Sequence, residues 1–145
     1  MPTPRKHRLN LSYQISGEIN CLTLEGELIS TTRFEPERVL REWNEAGVNQ
    51  VVVRCTDLEY IDSAGLSTLL GALHRYRRNG GDLILTEMNP RLGSLFEVTS
   101  MEKYFRIFPT LEEARRHFKQ LSDQNKTRKK GRPRQKTKTR SKQSA

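Results

Sequence analysis

Residues 51–55, Val-Val-Val-Arg-Cys, limit the fold of this chain more than any other segment. A half-exposed strand alternates apolar and polar residues. This β-branched run does not, so it suits a strand buried on both faces. After "TDLEYID" the apolar residues change period. Leu66, Leu69, Leu70, Leu73 and Tyr76 follow i, i+3, i+4, i+7 and i+10 spacing, one face of a helix. Arg75, Arg77 and Arg78 suit the last turns of that helix, and Gly80-Gly81 ends it. "DLILTE" (82–87) is a second buried strand. A strand, a helix and a strand in this order imply parallel pairing through a crossover.

The flanking segments extend the pattern. "SYQIS" (12–16) and "CLTLEG" (21–26) read as two antiparallel strands with Gly17 near their turn. Residues 31–47 carry Val39, Leu40 and Trp43 on one helical face, with Pro36 near the start and Gly47 as a stop. "NPRLGSLFEVT" (89–99) opens with an Asn cap and a Pro at the first helical position. "YFRIF" (104–108) suits a short edge strand. In "TLEEARRHFKQL" (110–121), Thr110 and Glu113 stand at capping-box spacing. The predicted order is β-β-α-β-α-β-α-β-α, an α/β domain.

The charge of this 145-residue chain is unevenly placed. Residues 1–122 carry 16 Lys/Arg and 16 Asp/Glu, whereas residues 123–145 carry 10 Lys/Arg and only Asp123. The expected organisation is a flexible N-terminus over 1–11, a globular domain over 12–121, and a disordered Lys/Arg-rich tail over 122–145, which has no large apolar residue to bury. Cys21 and Cys55 lie in apolar strand-like runs and read as core thiols, since two cysteines make neither a disulfide framework nor a zinc site. No window reaches the eighteen apolar residues of a membrane span, and no apolar run follows the basic N-terminus. These features point to a cytoplasmic protein without membrane insertion. His7, His74 and His117 are scattered, and the chain has neither a Walker-type loop nor a Gly-x-Ser-x-Gly elbow. Catalysis, a metal and a cofactor are therefore not expected.

The junction Asp62-Ser63-Ala64-Gly65-Leu66 carries the remaining chemistry. Asp62 or Ser63 can cap the following helix by accepting a backbone N–H. Gly65 permits close packing of helix on sheet. The same place can receive a phosphate, because a helix start offers unpaired N–H groups and the positive end of the dipole.

The chain resembles the STAS domains of bacterial anti-sigma factor antagonists. The resemblance rests on "LEGEL" (24–28), "VVVRCTDLEYIDSAGLSTLLGAL" (51–73) and "RRNGGDLILTEMNPRLGSLFEVTSMEKYFRIFPTLEEA" (77–114), in the family's order and spacing. It implies a small mixed sheet with about four helices packed mainly on one face. It also implies phosphorylation of Ser63, the serine directly after the motif aspartate. Glu27, Asp62, Ser63, Ala64, Gly65 and Leu66 would then meet the partner. That partner is an anti-sigma factor that is also a serine kinase, and a PP2C-type phosphatase resets the cycle. The antagonist would be a substrate and binding module rather than an enzyme. Two positions depart from the family pattern: Ile29 stands where many members have Asp, and Ser67 where many have Gly. Ser67 reads as a surface residue in preference to a second phosphoacceptor. A scaffold role in which Ser63 is only a cap is the alternative on the same fold.

The tail is foreign to a typical single-domain antagonist. Lys130-Gly131-Arg132-Pro133-Arg134 resembles the core of an AT-hook, whose Arg-Pro segment lies in the minor groove of A·T-rich DNA. A solvated tail with weak, salt-sensitive attraction to nucleic acid is the preferred reading.

Overall fold

The computed structural model describes residues 8–131, with side chains through residue 124. The chain divides into two units, one ending at Arg115 and one beginning at Arg116. The first holds strands β1 (Leu9–Ser16), β2 (Ile19–Leu28), β3 (Gln50–Ile61), β4 (Asp82–Thr86) and β5 (Arg106–Phe108). They form one sheet in the order β1-β2-β3-β4-β5. β1 pairs antiparallel with β2, and every later pair is parallel. Helices α1 (Phe34–Glu45), α2 (Ser63–Arg78) and α3 (Pro90–Val98) make the three crossovers, and a short 3₁₀ turn, Met101–Lys103, leads into β5. α4 (Leu111–Gly131) starts in the first unit and supplies the second.

The apolar pattern explains the layers. Leu22 and Leu24 of β2, Val51, Val53 and Cys55 of β3, and Leu83 and Leu85 of β4 alternate onto one face of the sheet. There they join Val39 and Leu40 of α1, the α2 stripe, and Leu92 and Phe96 of α3 in one cluster. The opposite face carries Cys21, Val52 and Ile84, which are also buried. Val51, Val52 and Val53 are all fully buried, as the β-branched run requires. Tyr76, at the end of the α2 stripe, donates its buried hydroxyl to the Leu40 carbonyl at 2.7 Å and so ties α2 to α1. Its phenol would otherwise be an unpaired polar group in an apolar layer. Asp82 fastens the other end of the sheet. Its two oxygens accept from Arg77 at 3.0 Å and Arg106 at 3.2 Å, joining the end of α2 and the start of β5 to β4.

Three of the boundaries that differ from the sequence reading have a clear physical cause. β1 begins at Leu9, so residues 9–11 belong to the sheet and not to a flexible N-terminus. Leu9 and Leu11 pack against the core, and Asn10 between them faces away. β3 runs on to Ile61 because β2 accompanies it to Leu28 through two register shifts. One shift falls at Gly26, where φ is +115° and a Cβ would lie 2.3 Å from the Arg8 carbonyl oxygen. α4 continues to Gly131, ten residues past the expected end at 121. An apolar stripe is not needed for a helix to continue. Gln, Lys and Arg are good helix formers, and each added turn gains its own backbone bonds.

Candidate functional site

The site lies where β3 hands over to α2, at the end of the sheet shared with the C-terminal end of β2. Cross-strand pairing sets Glu27 beside Tyr60 and Leu28 beside Ile61. Asp62 then leaves the sheet with extended backbone (φ −97°, ψ −176°), and its carbonyl accepts the first helical bond from Leu66 N–H at 2.9 Å.

Asp62, and not Ser63, is the cap. Its Oδ1 accepts from the Gly65 N–H at 2.8 Å, the usual position for a capping carboxylate. Its Oδ2 accepts from the Ser30 N–H at 2.9 Å. The carboxylate thus pins the β2–α1 loop to the start of α2, and its own N–H donates to the Leu28 carbonyl at 3.2 Å. The loop is a closed turn in itself. The Ile29 N–H donates to Thr32 Oγ1 at 2.9 Å, and the Thr32 hydroxyl donates to the Glu27 carbonyl at 2.6 Å.

Gly65 is fixed by space. A Cβ there would stand 2.2 Å from the Leu28 carbonyl oxygen, so the first turn of α2 can rest on the end of β2 only with glycine at this position.

These contacts sort the residues singled out in the sequence. Ser63 is exposed at the first position of α2, and its hydroxyl has no hydrogen-bond partner among the described residues. Asp62, Ala64 and Glu27 are half-buried. Gly65 and Leu66 are buried, and Leu66 belongs to the core cluster. The stripe that makes α2 amphipathic turns Leu66 inward, and the Leu28 contact covers Gly65. Ile29 is buried, and Ser67 is exposed one turn after Ser63.

Sequence reasoning missed the apolar rim. Tyr60, three residues before Ser63, is 51% exposed. Phe34, at the end of the loop that Asp62 holds, is 58% exposed and carries the Arg33 guanidinium 4.4 Å above its ring. Exposed aromatics beside a polar centre are common at protein interfaces. Their signal in the sequence was weak, because Tyr60 follows a bulged register and Phe34 opens a helix.

Cys21 and Cys55 are both buried free thiols, and burial pushes the Cys55 thiol up to about 12. Neither is a nucleophile at neutral pH. Among the described residues no three His, Cys, Asp or Glu side chains are grouped to hold a metal ion, and no helix is long and apolar enough to cross a membrane. Lys130 and Gly131 fall at the end of α4. Arg132, Pro133 and Arg134 lie outside the described residues.

Comparison with known proteins places this geometry. The STAS domain family's sequence model matches residues 10–114. The anti-sigma-B factor antagonist of Staphylococcus epidermidis is 30% identical over 99 residues, which span 68% of this chain and 92% of that protein. The crystal structure of an anti-sigma factor antagonist from Mycobacterium paratuberculosis superposes with a TM-score of 0.68 at 18% identity, covering 79% of this chain and 95% of that one. The Bacillus cell fate determinant SpoIIAA in its phosphorylated form superposes with a TM-score of 0.59 at 20% identity, covering 77% and 99%. With a five-stranded mixed sheet, the crossover helices α1 to α3 and the Asp62-capped junction in the matched span, the chain belongs to the STAS domain family, in its anti-sigma factor antagonist group.

Proposed function

We propose that this protein is a cytoplasmic anti-sigma factor antagonist controlled at Ser63. Unmodified, it binds an anti-sigma factor that is also a serine kinase, and the sigma factor is released. Phosphorylation of Ser63 ends the interaction, and a PP2C-type phosphatase restores it. The observation that carries this reading is the division of labour at the junction. Asp62 does all the capping, so the exposed Ser63 hydroxyl is free of any structural duty among the described residues.

The physics of the step follows from that division. A phosphoserine adds about −1.5 to −2 charge at neutral pH. At the first helical position it meets the positive end of the α2 dipole, so the fold tolerates it. The neighbouring Asp62 carboxylate cannot swing away without releasing both Gly65 and Ser30. The new charge is therefore directed to solvent, in the surface bounded by Tyr60, Glu27 and the 29–33 loop. A partner seated there would have to desolvate a dianion beside a fixed carboxylate, which costs several kcal/mol.

The test is capture of partners from host extract on Ser63→Ala and Ser63→Glu baits. The alanine form is expected to retain a kinase-type anti-sigma factor. The glutamate form should bind it about 100-fold more weakly, the fold-change that about 2.7 kcal/mol produces. Equal capture by both baits would reduce Ser63 to a bystander beside its cap and favour a scaffold role. In vitro, the captured kinase with ATP should phosphorylate wild type and leave Ser63→Ala unmodified.

A further inference from the structure

β1 is an edge strand whose sequence, Leu9-Asn10-Leu11-Ser12-Tyr13-Gln14-Ile15-Ser16, contains no charge and no proline. Edge strands commonly carry a lysine, a proline or a bulge that blocks pairing with another chain. This strand has none, and its pairing with β2 runs without a register shift from Leu9↔Gly26 to Ser16↔Ile19. Asn10 and Ser12 through Ser16 are all exposed. Tyr13 is 56% and Ile15 68% exposed, the latter the second most exposed large apolar side chain after Val98 among the described residues.

The hairpin fixes which backbone groups face outward. Only Gly17 and Glu18 separate the paired residues Ser16 and Ile19. A two-residue loop makes its flanking residues a hydrogen-bonded pair, and such pairs recur at every second position. Ser16, Gln14, Ser12 and Asn10 therefore spend their N–H and C=O groups on β2. Those of Leu9, Leu11, Tyr13 and Ile15 point away from the sheet. The same four residues are the apolar ones. Leu9 and Leu11 pack toward the helix-covered core, and Tyr13 meets the Trp43 ring of α1 edge-on at 5.7 Å.

We propose that β1 pairs antiparallel with β1 of a second copy of this chain, about a two-fold axis at Ser12, to form a continuous ten-stranded sheet. That register sets Leu9 opposite Ile15 and Leu11 opposite Tyr13 on the helix side, both as hydrogen-bonded pairs using the outward groups. On the other side it sets Asn10 opposite Gln14 and Ser12 opposite Ser12. Apolar meets apolar and polar meets polar along the whole strand, as sheet pairing requires. The flanking charges agree. Arg8 precedes the strand and Glu18 follows it, so in this register Arg8 stands opposite Ser16 of the copy with Glu18 two residues further along, and opposite charges flank the seam at both ends. A single strand pair is a small interface, so the dimer is a weak one that forms at high local concentration.

The experiment uses the full chain in sedimentation velocity across a dilution series. Wild type is expected to shift from dimer to monomer on dilution. Ser12→Lys places two lysines directly opposite each other, and Ile15→Lys sets a charge against Leu9. Both residues are exposed, so each variant should keep the wild-type melting temperature while raising the dissociation constant at least tenfold. Ser12→Cys gives an independent readout of register. At the two-fold the Cα atoms approach to about 4.5 Å, within disulfide reach, so this variant should cross-link under mild oxidation. Gln14→Cys should not cross-link, because its copy lies about four residues along the strand, roughly 13 Å away. The proposal is overturned by a wild type that stays monomeric throughout, by a dimer that survives both lysines, or by equal cross-linking of the two cysteine variants.

Discussion

α2 and α3 begin in the same way and end up with different chemistry. Each follows a parallel strand of the sheet. Each starts with a short polar residue in extended backbone whose side chain accepts the N–H three residues on: Asp62 from Gly65 at 2.8 Å, and Asn89 from Leu92 at 2.9 Å. Each cap also reaches a second element. The Asn89 amide donates to the Leu58 carbonyl of β3 at 3.0 Å, whereas the Asp62 carboxylate accepts from Ser30. The first helical residue separates them. In α3 it is Pro90, which offers no hydroxyl and fits the helix by its fixed φ. In α2 it is Ser63, an exposed hydroxyl beside a carboxylate already committed elsewhere. A helix start becomes a candidate modification site when the capping work is done by one residue and the acceptor is its neighbour.

Glycine substitutions break this comparison most sharply. Gly65 is the third residue of α2 and Gly93 the fourth of α3, and an alanine at each is equally good for helix propensity. At Gly65 the added Cβ meets the Leu28 carbonyl at 2.2 Å, a backbone atom that cannot step aside. Gly65→Ala should lower the unfolding free energy by about 3 kcal/mol, at the upper end of ordinary overpacking. At Gly93 nothing lies within 4 Å of the added Cβ, so Gly93→Ala should raise stability by about 0.5–1 kcal/mol. Urea denaturation of the two variants gives opposite shifts in midpoint. A stable Gly65→Ala protein would mean that α2 does not rest on the end of β2.

Removing the caps comes next in size. Asp62→Ala and Asn89→Ala should each cost about 1 kcal/mol through the helix start alone. Asp62→Ala should also release the 29–33 loop, seen as faster amide exchange at Ser30 in hydrogen-exchange measurements. Asn89→Ala should leave that amide protected. Equal protection of Ser30 in both variants would show that the loop holds itself through Thr32 and that Asp62 is a cap only.

How much of this was readable beforehand depends on how local the cause is. The strand over 51–55, the stripe from Leu66 to Tyr76, and the Asn89-Pro90 start each follow from residues within a few positions. The choice between Asp62 and Ser63 as cap could not be read, because both residue types cap well. The Ser30 contact that decides Asp62's orientation lies 32 residues away in sequence. The inward turn of Leu66 was implicit in the stripe itself. The length of β3 was hidden for a similar reason. Asp57, Glu59 and Tyr60 are exposed, so the segment lacks an apolar pattern and is held as strand by its pairing with β2. Leu9 and Leu11 gave too short an alternation to mark the start of β1 without the hairpin that completes it.

The smallest expected effect sharpens the comparison from the α3 side. The loop into α3 carries its charge two residues before the cap, in Glu87, a non-glycine residue at φ 61°. Its carboxylate accepts three bonds from Arg54, one from Nη2 at 2.9 Å and two from Nε at 3.2 Å, and one from the Thr56 hydroxyl, which ties the loop to β3. Burial raises the Glu87 carboxyl, but the Arg54 guanidinium and the Thr56 hydroxyl outweigh it and hold the group below its ordinary value of 4.5. A carboxyl lowered on folding stabilises the protein at pH above its unfolded value, and that contribution is lost as pH falls through the folded value. Glu87→Gln should therefore be less stable than wild type at pH 7 by under about 1 kcal/mol, since the pair is only partly shielded from solvent. The difference should close in acid, where both side chains are neutral. Thermal unfolding of the two proteins from pH 7 to pH 3 checks this directly. Curves that stay parallel over the whole range would show that Glu87 holds the α3 loop by shape, with its charge contributing nothing.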